Sequence, residues 1–262
     1  LEDKTILIYS EQGYGDSIQF CRYIELLKDR GAKKTVLGIE KPLHRLFKSL
    51  KSVDQFVLNG ETLPHFDYHI PMLSLPLAFK TRVETIPSKD KYLSIDKEKL
   101  QEWKERVGKK TKPRVGIVWS GSTIHRNDQN RSLTLQEFIS YLPSDYEYIS
   151  LQKEIRDLDL KLLLKHDNIK HYENFIEDFL DTGAICEQLD LVISVDTSVA
   201  HLAAALGKPT WILVPYNQDW RWLLDRTDTP WYPSMKLYRK TDRKDWTSAL
   251  QNMSTDIKKF FK

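Results

Sequence analysis

Three stretches of this sequence carry residues whose types and spacing could do chemistry. The first is Glu11-Gln12-Gly13-Tyr14-Gly15-Asp16. Its two glycines permit a tight turn and a close approach of backbone to a ligand. Asp16 follows them at the expected start of a helix, where Asp is a good N-cap. A carboxylate at the mouth of a cleft can equally take a proton as a general base, and the two roles are compatible. The second stretch is Ser194-Val195-Asp196-Thr197-Ser198-Val199-Ala200-His201. The apolar run 191–194 before it reads as a strand buried on both faces, and Asp196 or Thr197 caps the helix after it. Free N–H groups at Thr197 and Ser198, their hydroxyls and the helix dipole suit a diphosphate. A carboxylate repels phosphate, so Asp196 is expected to accept hydrogen bonds from backbone or from a ribose hydroxyl. His201, one turn into the helix, reads as a core histidine. The third stretch is the polar loop 120–132, of a length that in compact domains is often functional. Its Arg126, Arg131 and His125 could neutralise a phosphate through bidentate hydrogen bonds; the plain alternative is a solvated surface loop.

All three stretches follow strands, and the elements that position them repeat one grammar. Thr5–Tyr9 is a short apolar run ended by Gly13 and Gly15; Phe20, Tyr23, Ile24 and Leu27 then keep the i, i+3, i+4, i+7 spacing of a helix face. Gly31 stands where a left-handed cap belongs. Further strands are expected at 35–39, 55–58 and 68–70, with a helix opened by Pro42 between the first two. Residues 96–112 read as a helix plus linker, and a domain boundary is placed there, giving domains 1–110 and 111–262. The second domain restarts with strands at 114–119, 146–151, 169–172, 191–194 and 210–213, and residues 245–261 form a closing helix expected to return to the first domain. Alternating strands and helices imply α/β domains with parallel sheets. Two such domains make a cleft at the carboxyl ends of their strands, where open sheets bind ligands.

A dinucleotide fingerprint, G-x-G-x-x-G with a later acidic residue, is a rival for the first turn. Gly13, Gly15 and Glu40 fit it, but Ile18 occupies the third glycine position and would push the helix off the strand. An NAD-linked oxidoreductase also leaves the second domain's motifs unexplained. Composition narrows the field further. Of 262 residues, 40 are Lys or Arg and 37 Asp or Glu, a net charge of +3 that calls for neither nucleic acid nor an anionic membrane. No apolar run approaches the ~20 residues of a membrane span. Cys21 and Cys186 each fall in an apolar helical pattern and read as buried free thiols. A reducing compartment, and with it a cytoplasmic location, is the expectation. The chain has no initiator Met and reads as a fragment of a longer protein.

Taken together, residues 11–23, Leu73-Ser74-Leu75-Pro76, Val115-Gly116-Ile117-Val118-Trp119 and 125–132 match a known pattern. So do Ser150-Leu151-Gln152, residues 190–209, Asp219-Trp220-Arg221-Trp222 and 234–239. In this order the chain resembles the glycosyltransferase family 9 (heptosyltransferase-like) domain at the carboxyl end of bacterial tetratricopeptide-repeat proteins. The resemblance implies the GT-B architecture, two facing Rossmann-like domains with a cleft between them. It implies a metal-independent, inverting transfer of a sugar from a nucleoside-diphosphate donor to a hydroxyl of a glycan or protein acceptor, with no cofactor. Asp16 falls where the family carries its catalytic carboxylate, and Arg131 about where it carries a basic donor-phosphate ligand, usually Lys. That departure keeps the charge and changes the geometry. Asp196, Thr197, Ser198 and His201 fall on the family's donor-binding turn. Ser120, Arg126 and Gln152 are assigned to the donor side and Glu11, Gln12, Gln19 and Arg22 to the acceptor side. Helical repeats are expected before Leu1. The alternative is a module of the same fold that binds a sugar nucleotide or a protein without catalysis.

Overall fold

The computed structural model describes residues 1–243 and 245–262. Among the described residues, ten strands form two fully parallel sheets. The first is built from β1 (Thr5–Tyr9), β2 (Lys34–Ile39), β3 (Gln55–Leu58) and β4 (Tyr68–Pro71), in the order β3-β2-β1-β4. The second contains β5 (Arg114–Val118), β6 (Glu147–Ser150), β7 (Ile169–His171), β8 (Leu191–Val195), β9 (Thr210–Val214) and β10 (Met235–Arg239), in the order β10-β9-β8-β5-β6-β7. The central strands β5, β8 and β9 are buried along their whole length, as continuous apolar runs covered on both faces require. In both sheets the chain changes direction beside the first strand, placing the ends of β1 and of β5 and β8 at the switch points where ligands bind.

Elements expected from periodicity form, with some departures. The helix after the first turn is broken: Tyr14–Phe20, a tight turn at Cys21–Tyr23, then Ile24–Asp29. Strand β10 carries no clean sequence signal and pairs with β9 at the sheet edge. Gly31 (φ 81°) and Gly207 (φ 76°) adopt the left-handed conformation expected of helix ends. Both cysteines are buried and unpaired, and burial pushes each thiol up to about 12.

The two sheets share their main core, and the first keeps a small separate cluster of Leu7, Val36 and Val57. One apolar cluster runs from Ile6, Ile8 and Ile18 through to Ile117, Ile193 and Ala203. Helix Tyr14–Phe20 packs on helix Ser198–Ala205, and helix Lys41–Phe47 on helix Phe179–Glu187. Arg45 adds ion pairs to Glu177 at 2.9 Å and Asp178 at 3.3 Å. The charge-rich helix Lys97–Val107 is capped by Asp96, which accepts the Lys99 N–H at 2.8 Å. It lies on the second sheet's Phe179–Glu187 helix, where Trp103 Nε1 donates to Asp181 Oδ1 at 2.9 Å. The closing helix Thr247–Phe260 packs on β10, with Phe260 against Trp211 and Phe261 against Tyr146, instead of returning to the first sheet. Those aromatic partners, on β9 and just before β6, offer apolar area on the second sheet, so the helix has no need to cross over. Among the described residues no helix is long and apolar enough to cross a membrane.

Candidate functional site

The first turn differs from its sequence reading in one respect. The N-cap is Gly13, in extended conformation, and Asp16 is the third helical residue. Asp16 Oδ2 reaches back to accept the Gly13 N–H at 3.0 Å, satisfying one of the donors a helix start leaves free. Gly15 makes its close approach to protein: a Cβ there would lie 3.0 Å from His201 Cδ2 and 3.4 Å from the Ser198 Cα. The starts of the two helices that follow β1 and β8 therefore touch. Ile18, at the position a dinucleotide fingerprint reserves for glycine, is fully buried in the core.

On the β8 side Thr197 is the N-cap, extended at φ −139° and ψ 168°. Its hydroxyl meets the Ser194 hydroxyl at 3.1 Å. The first N–H groups of this helix have no partner within it, which is the diphosphate-ready feature read from the sequence. Asp196 turns away from that role: Oδ2 accepts Trp222 Nε1 at 2.9 Å, and its carbonyl accepts Arg131 Nη1 at 2.8 Å. Burial raises the Asp196 carboxyl above its ordinary range, against the opposing Trp222 N–H and Arg221 charge. His201 is buried, stacks on Trp222 at 5.4 Å, and shares a 2.8 Å hydrogen bond from Nδ1 with the Tyr232 hydroxyl. Burial, with Arg221 and Arg22 nearby, holds its imidazole well below the usual range.

A neutral His201 has a consequence for stability. The unfolded chain binds a proton below about pH 6.5 that the native state refuses, so this contribution is complete above that value and shrinks as pH falls. The limit for one group is about 1.4 kcal/mol per pH unit. Thermal unfolding between pH 7.5 and 5 should show the stability difference between wild type and His201→Gln narrowing toward acid. A constant difference would show that His201 does not carry the effect.

The long loop 120–132 contains the short helix Asp128–Arg131. Arg131 lies flat over Gly121, where a Cβ would stand 2.4 Å from Nη2 and 2.6 Å from Cζ. Only glycine leaves room for it. Arg126 is exposed on the loop, and His125 Nδ1 accepts the Asn127 N–H at 3.2 Å. Ser120 and Gln152 are buried and engaged with each other. Gln152 Oε1 accepts the N–H groups of Trp119 and Ser120 at 3.1 and 3.0 Å, and Nε2 donates to Ser120 Oγ at 3.1 Å. They brace the ends of β5 and β6.

Glu11 and Gln12 are exposed beside the first turn. Gln19 and Arg22, assigned to an acceptor face from the sequence, are buried where the two sheets' helices meet. Arg22 Nε donates to the Gln19 carbonyl at 2.8 Å, Nη1 to the Trp231 carbonyl and Nη2 to the Tyr92 hydroxyl at 2.9 Å. The guanidinium lies 4.5 Å from the ring centroids of both Tyr92 and Tyr232, beside a pair of rings that stack on each other at 6.5 Å. It is a strut.

One residue escaped the sequence reading. Arg221, only 8% exposed, donates from Nη2 to Asp16 Oδ1 at 2.6 Å, from Nη1 to Gln19 Oε1 at 2.7 Å and from Nε to Asp219 Oδ1 at 2.8 Å. Burial works against its charge, and Asp16 and Asp219 more than offset that. The stretch Asp219-Trp220-Arg221-Trp222 was visible as a motif; an Arg between two Trp after a strand was the available signal. Its carboxylate partner 205 positions away was not visible.

No protein-family model matches the chain. Among curated proteins it is similar to Protein FlbA of Caulobacter vibrioides, 22% identical over 284 residues. That match covers 99% of this chain and 47% of FlbA, so the chain spans about half the length of this relative. Among solved structures it is similar to a glycosyl transferase family 9 protein from Veillonella parvula, with TM-score 0.65 and 13% identity over 99% of this chain and 90% of that one. E. coli ADP-heptose LPS heptosyltransferase II gives TM-score 0.64 and 12% identity over 98% of both chains. E. coli heptosyltransferase WaaC with ADP-2-deoxy-2-fluoro heptose gives 0.59 and 10%, again over 98% of both. At such identities the likeness is one of fold. The chain has the GT-B-like α/β fold of these glycosyltransferase structures.

Proposed function

We propose that this chain is a glycosyltransferase that moves a sugar from a nucleoside-diphosphate donor to a hydroxyl acceptor by a metal-independent inverting displacement. One observation carries the reading: the start of the Asp16 helix touches the start of the Thr197–Ser198 helix, Gly15 against Ser198. A carboxylate and a diphosphate-ready helix end thus stand side by side at the switch points of two parallel sheets. In the proposed step Asp16 takes the proton of the acceptor hydroxyl as its oxygen bonds to the anomeric carbon. The bond from that carbon to the diphosphate breaks, and the diphosphate leaves with the electron pair. Its growing charge is met by the Thr197 and Ser198 amides and by Arg131. The fold supports a nucleotide-sugar donor, since solved structures sharing it hold ADP-heptose or its analogue. A glycan or a protein is the proposed acceptor, and helical repeats are proposed for the remainder of the full-length protein.

A thermal-shift screen of nucleotide sugars tests the donor half of the proposal. A true donor at about 100 times its Kd adds roughly 2.7 kcal/mol of stability; a screen without any shift, together with absent transfer, sinks it. The Arg131 assignment has its own test. Gly121→Ala drives a Cβ into the guanidinium and should weaken donor binding by about 10- to 100-fold, the worth of a charge-assisted hydrogen bond, with the fold retained. Calorimetric Kd values unchanged by Gly121→Ala would remove Arg131 from the donor site.

A second reading rests on the engagement of both Asp16 oxygens, one by Gly13 and one by Arg221. A carboxylate so held suits a non-catalytic module that binds a sugar nucleotide or a protein. Donor hydrolysis without acceptor, compared between wild type and Asp16→Ala, separates the two: equal background rates favour the module.

A further inference from the structure

Resting on the proposal that Asp16 is the base, the geometry points to Arg221 as its positioning residue, reaching across from the second sheet. Three observations carry the assignment. Arg221 spends two of its nitrogens on residues of the first half, Asp16 at 2.6 Å and Gln19 at 2.7 Å, and a third on Asp219 of its own turn. The planar guanidinium fixes these three directions together, which a single ammonium could not do. Its neighbour Trp222, fully buried, donates from Nε1 to Asp196 beside the proposed donor turn. Consecutive side chains of one short turn therefore hold the base on one side and the donor turn on the other. They set the separation between the two halves of the reaction.

The turn is itself held in an uncommon conformation. Leu223 (φ 51°) and Asp225 (φ 53°), both non-glycine, adopt left-handed backbone just after it. Such residues persist only where the surrounding structure over-determines them. The engagement of both Asp16 oxygens then reads as orientation. Gly13 N–H on Oδ2 and Arg221 on Oδ1 leave the carboxylate one rotamer, and a carboxylate oxygen carries a further lone pair with which to take a proton. Because effective molarity falls steeply with misplacement, a displaced base costs on the order of 100-fold in rate.

The test is a cycle of Asp16→Asn and Arg221→Gln, with Arg221→Lys as the conservative variant. Arg221→Gln should lower kcat about 100-fold with donor KM nearly unchanged, and Arg221→Lys should recover part of the loss. In the Asp16→Asn background Arg221→Gln should have almost no further effect on rate, because its role runs through Asp16. A full additional loss in that background, or a loss confined to KM, overturns the assignment. Urea unfolding of the same four proteins reads the bridge without substrate: the two changes should couple strongly, and strictly additive midpoints overturn the bridge. Absence of any transfer by wild type alongside coupled midpoints overturns the glycosyltransferase reading and leaves the bridge standing.

Discussion

Replacing Asp16 with Asn lowers sugar transfer by about 10²- to 10⁴-fold, the range that general-base catalysis contributes, while donor affinity stays nearly constant. The reasoning starts from what Asn keeps. It is nearly isosteric, and its carbonyl oxygen can still accept one of the two hydrogen bonds that now fix the carboxylate, from Arg221 or from Gly13. It cannot take a proton from an attacking hydroxyl. Donor binding draws on different groups, the first amides of the Ser198–Ala205 helix and Arg131, so it should survive. A loss of Arg221's ionic partner also lowers stability, and a thermal melt at the assay temperature separates that effect from the kinetic one. Asp219, 2.8 Å from Arg221 Nε, limits the damage by keeping one carboxylate beside the guanidinium. Wild-type rates from a folded Asp16→Asn protein would remove Asp16 from the chemistry and favour the non-catalytic module.

How far the sequence reveals this site depends on whether each contact is local. The buried strands were legible because a parallel strand covered on both faces must be an unbroken apolar run, as Leu191-Val192-Ile193-Ser194 is. Strand β10 was not, because Met235-Lys236-Leu237-Tyr238-Arg239 interleaves charge and is recruited by pairing to β9. Asp16, Asp196 and Arg131 were legible as candidates because each follows a strand at a switch point. The glycine at 15 was visible too, but its purpose was not: only the packed structure shows that it admits His201 and Ser198. Likewise Gly121 gives no local sign that an arginine ten residues on will lie across it. Arg221, Gln19 and Arg22 act through partners in distant parts of the chain, and no periodicity encodes such pairs. The apolar cluster shared by the two sheets was not legible for the same reason, since the surface joining them is built from helices each half could have presented to solvent.

Arg22→Ala provides the sharpest contrast between the sequence reading and the structure. As an acceptor-side contact Arg22 would be accessible, and its loss would raise acceptor KM with stability little changed. As the buried strut seen here, its loss strips donors from the carbonyls of Gln19 and Trp231 and from the Tyr92 hydroxyl. It also removes the cation that lies against both the Tyr92 and Tyr232 rings. Each buried acceptor left without a partner costs about 1–3 kcal/mol. Part of that is returned because a guanidinium no longer has to be desolvated, and the contributions are not additive. A net loss of about 3 kcal/mol is expected, a large fraction of the roughly 5–15 kcal/mol by which domains are stable. Urea denaturation should show it as a lower midpoint at unchanged slope, the signature of altered stability without altered unfolded-state compactness. Because Tyr232 also holds His201, loosening this cluster should reach the Ser198–Ala205 helix and weaken donor binding as well. An Arg22→Ala protein with wild-type unfolding and a selectively raised acceptor KM would return Arg22 to the acceptor face.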